Sequence, residues 1–129
     1  MAAGFLKLDG VIGDSADQQY PSPWIEIEYF GFKPALEVEP KRPLKDRAAA
    51  IVIGINRSCS RMTSLFWNSR DKGEVFDHAT FVFFRDRDGS ARSTKKMSMR
   101  HVTVAGFLIS THGVNTEVLL YGDEAQFVA

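Results

Sequence analysis

The segment from Gly4 to Phe32 constrains the fold more than any other part of the chain, because apolar and polar residues alternate on both sides of a turn-rich stretch. The alternation first runs from Gly4 to Asp9, with the period of a half-buried strand and not of a helix. Residues 10–23 are rich in Gly, Pro, Asp and Ser, which favour turns. The alternation returns from Trp24 to Phe32. The segment therefore predicts a short strand, a turn region and a long second strand.

The second predicted strand has two faces of different character. One face carries the apolar and aromatic residues Ile25, Ile27 and Tyr29. The other face combines two carboxylates with two large aromatic rings, namely Trp24, Glu26, Glu28 and Phe30. Such a face is either exposed to water or used against another chain, so we predict that this strand serves assembly as well as folding.

The middle of the chain predicts one strand and one helix. Ala48 to Asn56 is the strand, in which isoleucines at every second position form an apolar face. Cys59 to Asp71 is the helix, where Ser58 can cap the first turn and Gly73 is a natural stop. The apolar face, which Trp67 widens, carries Met62, Leu65 and Phe66, and the opposite face carries Arg61, Ser64 and Asn68. We expect the apolar face to pack against the core.

A long hairpin follows the helix. Glu74 to Arg85 is a strongly apolar strand, and residues 86–89 have the composition of a turn with its glycine in the last position. The partner strand is predicted from about Thr94 to Thr111, broken or bent near Gly106.

Two more strand segments complete the chain, Val114 to Tyr121 and Asp123 to Val128, separated by Gly122. The total is about seven strands and one helix in a single domain of 129 residues. Short strands at this spacing predict a mainly β protein, built either as a barrel or as a sandwich.

Two charged segments are candidate contact surfaces. Residues 33–47 hold three prolines, which favours an extended excursion that projects as an arm or lies as a solvated loop. We call this segment the charged loop, and its charged candidates are Lys33, Glu37, Glu39, Lys41, Arg42, Lys45 and Arg47. The hairpin from Arg85 to Arg100 is basic but lacks the interleaved aromatics of a nucleic-acid platform. It is either solvated or faces an acidic neighbour, and its candidate interface residues are Arg85, Arg87 and Arg92.

The composition of the chain excludes several classes of partner and of binding site. The 16 basic and 16 acidic residues cancel, so no global field attracts nucleic acid or an anionic membrane, and self-association meets little repulsion. The single cysteine, Cys59, excludes an internal disulfide and a cysteine-based zinc site. No apolar run approaches transmembrane length and no signal sequence opens the chain, so we expect synthesis in the cytosol and any export without a cleaved leader.

The residues with catalytic potential do not form a set. Gly13-Asp14-Ser15 resembles the nucleophile block of GDS-type esterases, but neither His78 nor His112 has the required aspartate three residues earlier, so Ser15 is interpreted as a turn serine. The three histidines share no metal-ligand spacing and are interpreted as structural. We therefore predict no catalytic residues, no cofactor and no metal site, and hence a protein that is not an enzyme.

In the order of its elements the chain resembles the haemolysin-coregulated proteins (Hcp) of bacterial type VI secretion systems. The first similar stretch is GFLKLDGVIGDSADQQYPSPWIEIEYFGF, which matches their opening strand, acidic Gly-rich turn and Trp-Ile-Glu strand. The family's strand and single helix are matched by the segment IVIGINRSCSRMTSLFWNSRDKGEVF. Its long hairpin is matched by FVFFRDRDGSARSTKKMSMRHVTVAGFLIST, and its final strands are matched by VNTEVLLYGDEAQFV. The resemblance covers nearly the whole chain, although the charged loop replaces a longer Gly-rich loop of that family.

The resemblance implies a β-barrel of seven or more strands flanked by one helix, six copies of which close into a ring. Such rings stack into a tube that a contractile sheath expels and whose lumen carries effector proteins. It implies a ring-contact or lumen position for Trp24, Glu26, Glu28 and Phe30, and makes the charged loop the candidate stacking loop. Implied partners are further copies, sheath, spike and effectors, without nucleic acid or membrane insertion, and the implied location is the bacterial cytoplasm before firing. The alternatives are a tail-tube protein of a related phage-like contractile system, a small monomeric binding barrel and a small barrel enzyme.

Overall fold

The computed structural model describes residues 3–33, 48–56, 60–85, 93–109 and 115–128. This part of the chain contains seven strands and one helix, as the sequence patterns predict. They are β1 (Gly4–Leu8), β2 (Ile25–Ile27), β3 (Tyr29–Lys33), β4 (Ala49–Asn56), α1 (Ser60–Lys72), β5 (Val75–Arg85), β6 (Ser93–Ile109) and β7 (Asn115–Val128).

All seven strands belong to one antiparallel sheet in the order β2-β1-β5-β6-β7-β4-β3. The two strands at the ends of this order, β2 and β3, are consecutive in the chain and are separated only by Glu28. The Glu28 amide donates a hydrogen bond of 2.7 Å to the Gly54 carbonyl on β4. The sheet therefore curls until its two edges meet at Glu28, which makes it a nearly closed barrel and confirms the mainly β fold with one flanking helix.

The prediction of one long second strand is wrong, because the chain changes partners at Glu28. β2 pairs with β1, where Phe5 faces Glu26, whereas β3 pairs with β4, where Phe30 faces Ile53. A barrel closes only if the chain leaves one sheet edge and joins the other, and local alternation carries no information about this change of partner.

The predicted division of the last strand at Gly122 is also wrong. β7 continues through Gly122, which pairs with Ala49 on β4. A Cβ atom at Gly122 would lie 2.7 Å from the Met99 side chain and 3.0 Å from the Arg100 carbonyl, so the glycine permits close packing and does not end the strand. The predicted bend near Gly106 is confirmed, since the pairing register of β6 with β7 shifts there.

One continuous core fills the barrel and includes buried side chains from β1, β2, β4, β5, β6, β7 and α1. The helix contributes Met62 and Phe66, both fully buried, and the half-buried Leu65, so the predicted apolar face is confirmed. Trp67 is 46% exposed and packs perpendicular to the Phe107 ring, at 5.3 Å between ring centres. The predicted cap Ser58 and the cysteine Cys59 lie outside the described residues.

A second aromatic cluster lies outside this core, under the turn region of residues 9–24. Phe5 is only 1% exposed but belongs to this cluster, where it stacks on Tyr20 at 5.0 Å between ring centres. Tyr20 in turn contacts Trp24 and Phe84. The turn region thus covers Phe5 on the outer face of β1, whereas Lys7 on the same face stays exposed.

Candidate assembly surface

One end of the barrel carries a groove lined by aromatic rings. Its residues come from the end of β3, the end of β5, the start of β6 and the end of β7, and we call it the aromatic groove: Phe30, Phe32, Phe83, Phe84, Lys95 and Phe127. The groove encloses about 170 Å³. The centres of the Phe30 and Phe83 rings lie 4.2 Å apart at the floor of the groove, and those of Phe32 and Phe127 lie 6.4 Å apart at its rim.

The rim of the aromatic groove leaves apolar surface in water. Phe32 is 49% exposed and Phe127 is 58% exposed. Covering the exposed halves of two such rings removes roughly 200 Å² from water, a gross hydrophobic gain of about 5 kcal/mol at about 25 cal/mol per Å² from which the cost of association is subtracted. Lys95 places its ammonium 6.0 Å from the centre of the Phe127 ring, so the rim is cationic as well as apolar. The two half-exposed rings make the aromatic groove a candidate contact surface.

The region around the helix and the opposite ends of the strands also exposes large apolar side chains. They are Ile12, Trp67, Val75, Leu108 and Ile109. Val75 begins β5 and Ile109 ends β6, whereas the aromatic groove lies at the other ends of these two strands. Both ends of the barrel therefore carry apolar surface.

A second cleft is acidic. Asp14, Glu26 and Glu28 line a cavity of about 170 Å³ between the turn region and the junction of β2 and β3. Asn56 and Met62 lie on its other side. We call this the acidic cleft. It contains the two carboxylates that the sequence places on one strand face, and it adds Asp14, whose turn the sequence does not connect to them.

The four residues of the predicted contact strand thus fall into three places. Glu26 and Glu28 line the acidic cleft, as expected for neighbours on one face. Trp24 instead packs against Tyr20, with the Lys7 ammonium 5.8 Å from its ring centre. Phe30 packs toward the core against Phe83. The predicted common face of Trp24 and Phe30 is wrong, because the turn at Glu28 separates β2 from β3.

Most of the other predicted contact residues lie outside the part of the chain that the structure describes. Lys33 is described, and it is exposed at the end of β3. Arg85 ends β5 without a described side chain. The remaining predicted residues lie outside the described residues, namely Glu37, Glu39, Lys41, Arg42, Lys45, Arg47, Arg87 and Arg92. Their roles stay predictions.

Ser15 has the surroundings of a turn residue. It is 7% exposed, and its Oγ accepts a hydrogen bond of 3.2 Å from the Asp17 amide. Its own amide donates to the Trp24 carbonyl at 3.0 Å, and its carbonyl accepts from the Ser22 amide at 2.9 Å. These bonds hold the turn region together and agree with the interpretation of Ser15 as a turn serine.

Two polar clusters were missed by the sequence analysis. His101 on β6 faces Asp123 on β7, with Glu124 next to it, so this histidine has carboxylate neighbours that its spacing in the chain does not indicate. The Tyr29 hydroxyl donates a hydrogen bond of 2.7 Å to Glu117, across the intervening strand β4. Burial and this carboxylate raise the pKa of Tyr29 to about 12.

Comparison with solved structures identifies the fold. Hcp2 from Salmonella typhimurium superposes with a TM-score of 0.70 at 13% sequence identity, over 96% of this chain and 83% of that chain. The chain has the Hcp fold. A structure described as a type six secretion system protein matches at TM-score 0.62 and 14% identity, over 98% of this chain and 83% of that chain. The secreted protein Hcp3 from Pseudomonas aeruginosa matches at TM-score 0.58 and 8% identity, over 98% and 79%.

No protein-family model and no curated protein sequence matches the chain. The likeness is therefore one of Hcp architecture, and it spans the strands that form both the aromatic groove and the acidic cleft. In the described part of the chain, no helix has the length and apolar character that crossing a membrane requires.

Proposed function

We propose that this chain is an Hcp-type tube subunit of a bacterial type VI secretion system, structural and not catalytic. In this proposal copies close into a ring, which we expect to be hexameric, and rings stack into a tube whose lumen carries effector proteins. The observation that carries the proposal is the match of nearly the whole chain to Hcp2 from Salmonella typhimurium. The match to a structure described as a type six secretion system protein supports the same assignment.

The surfaces of the barrel support assembly through two different contacts. A ring or a stack of one protein needs heterologous contacts, in which one patch of a copy meets a different patch of the next copy. The aromatic groove carries Lys95 and lies near Lys33, whereas the acidic cleft carries Asp14, Glu26 and Glu28. Opposite charges on two separate surfaces suit this type of contact and orient it.

The filled interior argues against a monomeric binding barrel. Such a protein needs a cavity inside the barrel, large enough for a ligand. Here the large side chains Phe66, Phe81 and Met97 are fully buried in the core that occupies the barrel interior. The cavities described above lie at the ends and edges of the sheet, where another chain can reach them.

The remaining partners and the location belong to the same proposal. A tube subunit meets the contractile sheath, the spike and the effectors of its apparatus. It stays in the bacterial cytoplasm before firing and leaves without a cleaved leader. The similar Hcp3 is described as a secreted protein, which supports secretion in this proposal.

The first experiment is the native mass of the purified chain, measured by light scattering after size exclusion. We expect a mass near six times the 14.4 kDa of one chain, with ring-shaped particles in negative stain. A chain that stays monomeric at high protein concentration, with no rings in negative stain, would refute the proposed function.

The role of the aromatic groove is tested by the double variant Phe32→Ser with Phe127→Ser. Both rings are half exposed, so the variant should fold while its assembly weakens. Ile12→Ser is the comparison variant in the other exposed apolar region, because Ile12 is 67% exposed and lies outside the groove. Equal effects of the groove variant and the comparison variant on assembly would count against the groove.

Charge reversal tests the pairing of the two surfaces. Lys95→Glu and Glu26→Lys should each weaken assembly by placing like charges opposite one another. The double variant should recover assembly if these surfaces meet between copies. Failure to recover, with each single variant weakened, would show that the two surfaces contact different partners.

A further inference from the structure

An irregular stretch in the pairing of β6 and β7 brings together three side chains with metal-ligand chemistry. The pairing register shifts on both sides of Arg100, next to His101 on β6. His101 has a φ of 53° and Glu124 on β7 has a φ of 51°, values that residues other than glycine rarely adopt. Regular alternation would direct the neighbours Asp123 and Glu124 to opposite faces of the sheet. Here both reach His101, and one ligand atom from each of the three residues lies within 4.8 Å of the others.

The distance between His101 and Asp123 is close to what a small cation requires, whereas the three ligand atoms together lie only within 4.8 Å of one another, so Glu124 must move inward. His101 Nδ1 shares a hydrogen bond with the Asp123 carboxylate, at 3.0 Å from Oδ1 and 3.2 Å from Oδ2, and a cation bound by both groups takes the place of the shared proton. Two ligands held at about 2.0–2.1 Å from a tetrahedral Zn²⁺ are roughly 3.3 Å apart. A cation can therefore enter between the imidazole and the carboxylate with a shift of a few tenths of an ångström.

The burial of the three ligands suits a site that is anchored on one side and open on the other. The Asp123 side chain is 7% exposed, whereas His101 is 49% exposed and Glu124 is 45% exposed. A buried carboxylate is held in place by its hydrogen bonds, of which Asp123 shares one with His101. The exposed side leaves room for water as a further ligand.

We propose that His101, Asp123 and Glu124 bind a divalent transition-metal cation of the Zn²⁺ class. One imidazole nitrogen with two carboxylates is a donor set for Zn²⁺, Co²⁺, Ni²⁺ or Mn²⁺, since Ca²⁺ and Mg²⁺ prefer oxygen ligands alone. The proposal goes beyond the tube function and does not depend on it, because all three ligands belong to one chain.

Arg100 competes with the cation for one ligand. Its Nε lies 3.6 Å from Glu124 Oε2, at a position where both side chains are nearly half exposed. The cation must draw the Glu124 carboxylate away from this guanidinium, so affinity in the micromolar range is expected and not that of a closed structural zinc site. Removing the guanidinium should therefore strengthen metal binding.

The experiment titrates the full chain, without an affinity tag, with ZnCl₂ by calorimetry and with CoCl₂ by visible absorption. We expect one saturable site per chain. His101→Asn keeps a residue that tolerates the left-handed conformation, and it should weaken binding at least about tenfold. Glu124→Gln should weaken it similarly, and Arg100→Gln should strengthen it. Because Glu124 is half exposed, Glu124→Gln keeps the test valid even if His101→Asn fails to fold.

The chain offers a matched control in a second histidine–carboxylate pair. His78 Nδ1 lies 3.3 Å from Asp9 Oδ2, with both side chains more than half exposed. Among the described residues, no third ligand joins this pair in a cluster. His78→Asn should leave metal binding unchanged. The proposal is overturned if the wild-type chain shows no saturable binding, if Glu124→Gln binds as wild type does, or if His78→Asn weakens binding as much as Glu124→Gln.

Discussion

A substitution at Gly54 tests how much the Tyr29 ring stabilises the edge of the barrel, because a side chain at Gly54 would overlap that ring. Tyr29, Gly54 and Glu117 are in register on three adjacent strands, β3, β4 and β7. The Tyr29 ring lies over Gly54, and its hydroxyl reaches the Glu117 carboxylate at 2.7 Å. A Cβ atom at Gly54 would overlap the ring, with Cδ1 2.6 Å away, so in Gly54→Ala the ring must leave its position.

The expected loss follows from the two interactions that the ring makes. A hydrogen bond to an ionised group contributes about 1.5–3 kcal/mol, and partial exposure of Tyr29 and Glu117 reduces this to about 1 kcal/mol. Forcing a ring out of a packed position costs a further 1–2 kcal/mol or so. Gly54→Ala should therefore lower the free energy of unfolding by about 2–3 kcal/mol.

Urea unfolding of the variants at equal protein concentration measures this loss. Gly31→Ala is the matched control on β3, since a Cβ atom at Gly31 meets nothing within 4 Å, and it should change stability little. Repeating Gly54→Ala in a Tyr29→Ala background should cost much less, because the ring is already absent. If Gly54→Ala costs the same in both backgrounds, the ring is not the cause and the reasoning is refuted.

Two further predictions concern the same packing. The pKa of Tyr29 is raised to about 12, so the neutral phenol stabilises the fold fully below pH 10, its ordinary pKa, and this contribution is lost as the pH rises toward about 12. Tyr29→Phe should therefore flatten the decline in melting temperature between these two pH values. An unchanged decline in the variant would contradict this prediction. Phe66→Ala should lower the free energy of unfolding by about 3–5 kcal/mol by emptying a buried site, whereas Trp67→Ala, at a half-exposed position, should cost much less. Equal losses at these two neighbours, measured by urea unfolding, would contradict the assigned helix face.

The sequence alone determined the type of each element, because strand and helix periods are local properties. Alternation in 4–9 and 48–56 and the i, i+3, i+4 spacing of Met62, Leu65 and Phe66 each correspond to an observed element. Which side of the helix is buried follows from the same spacing. The order of these elements also sufficed to suggest the Hcp architecture, which the solved structures bear out at the level of the fold.

Which strands pair, and which distant residues meet, was decided only by the tertiary structure. The change of partner at Glu28 divides a strand that reads as continuous, because closing the barrel requires one chain segment to serve both sheet edges. β7 runs through Gly122 because neighbouring side chains fill the space that a side chain there would need.

The polar clusters show the same limit most clearly. His101 and Asp123 are 22 residues apart in the chain and 3.0 Å apart in the fold, and a shift in strand register brings them together. Register depends on the packing of both faces of two strands at once. A local pattern specifies the face on which a residue lies, and only the closed sheet specifies which residue lies opposite.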